Sequence, residues 1–171
     1  MLPAMAVRSR SMIKNIINVL FVCTGNICRS PMAEYLFLSR LDPSYSWTAG
    51  SAGLAAINGL AASRTAVEVM DEIGINIRKH HSRALTNELI DAATIILVMT
   101  GAHAAELKQR FPQARDRVHL LGSFNENAKE KEISDPVGSG PEIYRRTRNA
   151  IAGCLDGLIS YLQSFQKNKH S

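Results

Sequence analysis

Ile16-Ile17-Asn18-Val19-Leu20-Phe21-Val22-Cys23-Thr24-Gly25-Asn26-Ile27-Cys28-Arg29-Ser30-Pro31 is the stretch on which the fold turns. Its first seven residues are nearly all apolar, the pattern of a strand covered on both faces. Gly25 and Asn26 are the two residue types that reach positive φ at little cost, so a tight turn follows that strand. Pro31 suits a helix first turn, and Ala33, Leu36, Phe37 and Leu41 then recur at helical spacing.

Working outward, the same alternation repeats. Thr94-Ile95-Ile96-Leu97-Val98-Met99 is a second covered strand, with weaker candidates at Ser46 to Ala49 and Arg117 to Leu121. Val67, Met70 and Ile73 make a helical stripe closed by Gly74, and Ala104 to Phe111 a third helix stopped by Pro112. The last helix opens at Pro141, and Ile151, Leu155, Leu158, Leu162 and Phe165 line one face. Strands alternating with helices imply parallel pairing and right-handed crossovers. The expected fold is α/β: three layers, a four-stranded parallel open twisted sheet with helices on both faces.

At 171 residues the chain suits one domain, and 46% hydrophobic with 20% charged residues excludes disorder and coiled coil. Its formal charge of +5 suggests nucleic acid only until it is located. Arg8, Arg10 and Lys14 fall in residues 1–22 and Lys167 and Lys169 in residues 163–171, neither stretch holding an acid. Residues 23–162 balance 15 bases with 15 acids, so no nucleic-acid partner is expected. No apolar run approaches the roughly 18 residues of a membrane span, and no membrane insertion is expected either. Three cysteines are too few for a disulfide framework, which points to a reducing, cytoplasmic location. The expected organisation is a flexible N-terminal extension at 1–14, one domain at 15–166 and a tail at 167–171.

The loop after the first strand carries the chemistry. A loop curling into a helix start aims successive backbone N–H groups inward, and the helix dipole adds to their field. Thr24, Gly25, Asn26, Ile27, Cys28, Arg29 and Ser30 would thus form an anion cradle, with the planar fork of Arg29 holding two phosphate oxygens. The same field favours the anionic form of the Cys23 sulfur. A nucleophile aimed at bound phosphate results. Neither a Gly-Lys-Ser/Thr nucleotide loop nor a Gly-x-Gly-x-x-Gly dinucleotide loop is present. A bare Cys-x5-Arg recurs by chance; position decides here, at the carboxyl end of a strand where open parallel sheets bind ligands.

The run Cys23-Thr24-Gly25-Asn26-Ile27-Cys28-Arg29-Ser30-Pro31-Met32-Ala33-Glu34 resembles the signature of the low-molecular-weight protein-tyrosine phosphatases, bacterial members above all. Ser51-Ala52-Gly53-Leu54, Gly74-Ile75, His80-x2-Arg83, Ile96-Leu97-x-Met99 and Asp135-Pro136 extend the likeness over about residues 17–165. The resemblance implies a metal-independent, cofactor-free phosphotyrosine-protein phosphatase that is a monomer or weak dimer. Its substrate would be a phosphotyrosyl protein, such as an autophosphorylating bacterial tyrosine kinase. Cys23 would attack phosphorus to give a cysteinyl-phosphate, Arg29 would hold the equatorial oxygens, and Asp135 would be general acid and then general base. Without the family, Asp135-Pro136 reads as a surface turn and His80 as a loop histidine. The resemblance also implies a network of Asn26, Ser30, Ser51 and His80 supporting the loop, and a redox role for Cys28, which reads equally as a small packing residue. Cys154 reads as core.

The chain departs from the family at the cleft mouth. Vertebrate members follow the acid with aromatics, where this chain has Val137-Gly138, and the ungapped match puts Ile57 at the opposite wall. Ile27, Ile57 and Val137 are the wall candidates. A protein-arginine phosphatase on the same scaffold is the alternative; that branch typically carries threonine where Ile27 stands, and a bulky apolar residue favours an aromatic ester. Arsenate reduction needs relay cysteines, and residues 29–153 contain none. A silent phosphate-binding module would not need Cys23, Arg29 and Asp135 together.

Overall fold

A computed structural model describes residues 16–168. The expected extension at 1–14 and the end of the tail lie outside those residues. Four parallel strands, β1 (Ile17–Cys23), β2 (Trp47–Gly53), β3 (Ile95–Val98) and β4 (Val118–Leu120), form one sheet in the order β2-β1-β3-β4. Five α-helices accompany them: α1 (Arg29–Arg40), α2 (Arg64–Asp71), α3 (Asn87–Ala92), α4 (Gly101–Arg110) and α5 (Pro141–Asn168). This is the expected three-layer α/β architecture.

The pleat sorts β1 into two cores. Val19, Phe21 and Cys23 face a core shared with α1, α2 and α5, while Leu20 and Val22 face one shared with α3 and α4. Burial on both faces explains why β1 and β3 read as unbroken apolar runs. The order in which strands are added reverses at β1, since β2 lies on one side and β3 on the other. A crevice therefore opens between the loops that follow β1 and β3.

Several boundaries differ from the sequence reading. Strand β2 continues past Ala49 to Gly53, through glycines that pattern alone does not mark as strand. Helix α2 ends at Asp71, so Ile73 is no part of a buried stripe; it is 45% exposed in the turn that Gly74 completes at φ +76°. Helix α1 starts at Arg29, two residues before Pro31, and α4 at Gly101, three before Ala104. Lys167 and Asn168 extend α5 beyond the expected boundary at 166. The six-residue α3, capped by Thr86, was not foreseen.

After β4 a 3-10 turn (Leu121–Phe124) leads into the segment bearing Asp135, and two contacts fix its path. The Ile133 N–H donates to the Met99 carbonyl just past β3, at 2.8 Å. Gly122 lies under the Lys131 backbone so closely that a Cβ would sit 1.8 Å from the Lys131 oxygen. Gly122→Ala is therefore expected to lower stability by about 1–3 kcal/mol. Urea unfolding of the variant checks this, and an unchanged midpoint would contradict the packing.

Candidate active site

Cys23 ends β1, buried at the floor of the crevice, and α1 begins six residues later behind a turn centred on Asn26. Asn26 has φ +55°, the left-handed region, and is fully buried. Four hydrogen bonds hold it there. Its Nδ2 donates to Ser30 Oγ (2.8 Å) and Ser51 Oγ (2.9 Å), its Oδ1 accepts from the Arg83 N–H (2.9 Å), and its carbonyl accepts from His80 Nε2 (2.7 Å). Because Arg83 N–H can only donate, the amide orientation is settled by its partners.

The direction of these bonds reaches the sulfur. Ser30 Oγ accepts from Asn26, and its own proton is free to be donated to a Cys23 thiolate, whose Sγ lies at 2.9 Å. Ser51 likewise accepts from Asn26 and donates to Glu34 at 2.5 Å. A hydroxyl is thus held beside the Cys23 sulfur by a chain of bonds that ends in a carboxylate. The expected network of Asn26, Ser30, Ser51 and His80 is brought together, and Glu34 and Arg83 join it. Neither was foreseen, although both lie within the motifs quoted above. His81, by contrast, is exposed and bonded to the Lys79 carbonyl.

Helix α1 is prepared for an anion. Ser63, Thr86 and Thr100 cap α2, α3 and α4 with their side chains, whereas α1 follows Cys28 with no side-chain cap and no acid in its first turn. Its first amides remain for a ligand. Arg29 is 4% exposed, with Nη1 donating to the Ile133 carbonyl (3.0 Å) and Nη2 to Asp135 Oδ2 (2.9 Å). The carboxylate is 47% exposed, and its other oxygen accepts from the Val137 N–H at 3.1 Å. Cys23 is bonded to Ser30 and Asp135 to the adjacent Arg29, so the first two residues of α1 link positions 112 apart in sequence.

The flanking residues are also located. Thr24 is exposed beside the crevice, and its Oγ1 lies 2.9 Å from Nε2 of His103, a buried residue in the first turn of α4 that the sequence reading missed. The findable signal was position: His103 follows β3 as Cys23 ends β1, on the two sides of the strand-order reversal. Of the wall candidates, Ile57 and Val137 are 69% and 61% exposed, and Ile27 is half-buried against the core. Ser82 holds the Ile57 turn by donating to its carbonyl at 2.5 Å. Cys28 lies 3.3 Å from both Ser63 Oγ and Tyr144 Oη, and burial pushes its thiol up. Tyr144, also desolvated, is pushed up to about 12. Cys154 is core, its thiol raised by burial to about 11.

The strand–loop–helix unit that carries the buried Cys23 and the Arg29–Asp135 pair, at the carboxyl end of a parallel strand, is a site of the phosphatase class. The family model of low molecular weight phosphotyrosine protein phosphatase matches residues 18–171, and the chain belongs to that family. It is 43% identical over 146 residues to the probable low molecular weight protein-tyrosine-phosphatase EpsP of Ralstonia nicotianae, covering 85% of this chain and 96% of that one. It is 40% identical over 148 residues to the protein-arginine-phosphatase of Geobacillus stearothermophilus, covering 86% and 97%. Among solved structures, the YwlE arginine phosphatase from Geobacillus stearothermophilus superposes with a TM-score of 0.81 at 39% identity, over 91% of this chain and 98% of that one. The chain is a phosphatase of phosphoproteins. Among the described residues, no helix is long and apolar enough to cross a membrane.

Gly53 lets the loop approach β2. A Cβ there would lie 2.5 Å from the Thr24 carbonyl oxygen and 3.0 Å from the Asn26 nitrogen. Gly53→Ala is expected to displace the cradle and lower kcat/KM roughly 100-fold while the protein stays folded. Steady-state kinetics beside circular dichroism test this; full activity would refute it.

Proposed function

We propose that the chain hydrolyses phosphotyrosyl proteins by two in-line displacements at phosphorus. The observation that carries the reading is the junction of Cys23, backed by the Ser30 donor, with the Arg29–Asp135 pair. A phosphoryl dianion entering the cradle takes the guanidinium that Asp135 now holds, and Arg29 with the loop amides gathers the equatorial oxygens. The Cys23 sulfur forms a bond to phosphorus as the bond to the phenolic oxygen breaks, and Asp135, protonated from solvent once Arg29 has released it, gives that oxygen its proton. Water then attacks the cysteinyl-phosphate. Asp135 takes the water's proton, and the sulfur leaves as thiolate, stabilised by Ser30.

The substrate preference rests on the mouth. Ile27, Ile57 and Val137 offer apolar surface to an aromatic ring without a stacking partner. Phosphoarginine is the second reading, favoured by the likeness in sequence and in structure to the arginine phosphatase of Geobacillus stearothermophilus. An autophosphorylating tyrosine kinase is the proposed partner, since the similar Ralstonia nicotianae protein is named a protein-tyrosine-phosphatase. Thiols at the site suit a reducing, cytoplasmic compartment. Cys28 is the proposed resolving thiol should an oxidant such as peroxide convert Cys23 to a sulfenic acid; attack would form the disulfide and release water.

Turnover on matched phosphotyrosyl, phosphoarginyl and phosphoseryl peptides tests the reading. Phosphotyrosyl peptide should be preferred, Cys23→Ser should abolish activity, and Asp135→Asn should lower kcat by roughly 100- to 10,000-fold. Higher kcat/KM on phosphoarginine would transfer the assignment to that substrate. Wild-type activity in Cys23→Ser would end the mechanism.

A further inference from the structure

We propose that His103 is a positioning residue which turns the Thr24 hydroxyl proton into the substrate cleft, making Thr24 a hydrogen-bond donor to a phosphoryl oxygen of the bound monoester. The inference deepens the phosphatase reading above, because it needs an oxyanion in the cradle beside Thr24.

Burial, a neighbouring cation and the helix dipole set how many protons the imidazole carries. His103 is 8% exposed, and burial and the charge of Arg29 both lower its pKa from the ordinary 6.5. It also lies in the first turn of α4, where the positive end of the helix dipole disfavours a second positive charge. The ring is neutral near pH 7 and holds one proton, which sits on either Nε2 or Nδ1.

Its surroundings choose between the two. Nε2 is 2.9 Å from Thr24 Oγ1, whereas the buried Nδ1 has no hydrogen-bond partner among the described residues. A proton on Nδ1 would leave a buried N–H without an acceptor, a rarer and costlier defect than an unused lone pair. The proton therefore belongs on Nε2, and His103 donates to Thr24. A hydroxyl that accepts from His103 cannot also donate to it. Its own proton is left to rotate into the crevice between the loops after β1 and β3, where Thr24 is exposed next to Cys23.

Thr24 is well placed to present it. Its carbonyl accepts from the Ala55 N–H at 2.9 Å, and the preceding Cys23 carbonyl accepts from the Leu54 N–H at 2.9 Å. The backbone is thereby clamped to the segment that follows β2, while His103 sets the side chain. The arrangement repeats the logic of Asn26 and Ser30, in which a fixed donor behind a hydroxyl aims that hydroxyl at the reacting group. One relay serves the sulfur and the other serves the phosphoryl oxygens.

Two measurements test this. The first is nitrogen-15 NMR of histidine-labelled wild-type protein at neutral pH. The His103 ring should be protonated at Nε2 and bare at Nδ1; the opposite tautomer overturns the proposal. The second is calorimetric affinity for inorganic phosphate together with kinetics on p-nitrophenyl phosphate. Thr24→Val and His103→Ala should each weaken phosphate binding and raise KM roughly tenfold, with a smaller change in kcat. Thr24→Ser, and His103→Gln with its amide N–H near the place of Nε2, should recover most of the loss. The double variant Thr24→Val/His103→Ala should be no weaker than either single one.

Phosphate affinity unaltered in Thr24→Val, or folded His103→Gln as weak as His103→Ala, overturns the inference. A protein that shows the Nε2 tautomer and binds phosphate through Thr24, yet hydrolyses no phosphopeptide, would refute the enzymatic reading and support this one. An active enzyme with the Nδ1 tautomer would do the reverse.

Discussion

The left-handed turn at Asn26 is the constraint on which the site depends. A chain leaving β1 must reverse within five residues to start α1, and must do so with its amides facing inward. Asn26 at φ +55° achieves this at little steric cost, but little cost is not fixation. Fixation comes from four bonds supplied by Ser30, Ser51, Arg83 and His80, which belong to α1, β2 and the segment before α3. A conformation held from three sides is insensitive to small shifts in any one of them. The cradle is therefore built before a ligand arrives, which is what electrostatic catalysis requires.

The same network explains the composition of β2. Its sequence, Trp-Thr-Ala-Gly-Ser-Ala-Gly, reads poorly as a strand because two of its seven residues lack side chains. Each absence has a spatial reason. At Gly50 a Cβ would sit 2.5 Å from the Arg83 guanidinium, which crosses there to donate to the Ser51 carbonyl; at Gly53 it would meet the loop itself. Strand propensity was sacrificed where the site needed room, so a pattern-based reading stopped the strand at Ala49. The covered strands β1 and β3 had no such conflict and were legible, as was the strand–loop–helix signature that fixes Cys23 and Arg29. Ile73 erred differently: its spacing continued the stripe of Val67 and Met70, but the helix had ended at Asp71. Periodicity records spacing, and it carries no information about where the backbone turns.

Asp135 and His103 mark the boundary of what local sequence can show. Nothing near Asp135-Pro136 distinguishes a general acid from a surface turn; only the resemblance did so. What places it is long-range: the Ile133 N–H on the Met99 carbonyl, the Lys131 backbone over Gly122 and the Ile133 carbonyl on Arg29. His103 had no motif to announce it. Its significance comes from the strand order, which sets the first turn of α4 against the first residue of the cradle.

The Arg29–Asp135 pair looks at first like an obstacle, since the proposed mechanism asks these residues to separate. The geometry shows why separation is easy. Asp135 is 47% exposed, so water can replace most of what Asp135 gives up. Arg29 is different: at 4% exposure it could not remain without partners. It need not, because Nη1 keeps the Ile133 carbonyl while Nη2 exchanges a carboxylate oxygen for a phosphoryl oxygen. The buried cation thus stays paired throughout, and the mobile partner is the one that water can solvate. The Val137 N–H goes on holding the second Asp135 oxygen when Arg29 changes partner, so the exchange releases only one of the carboxylate's two ties.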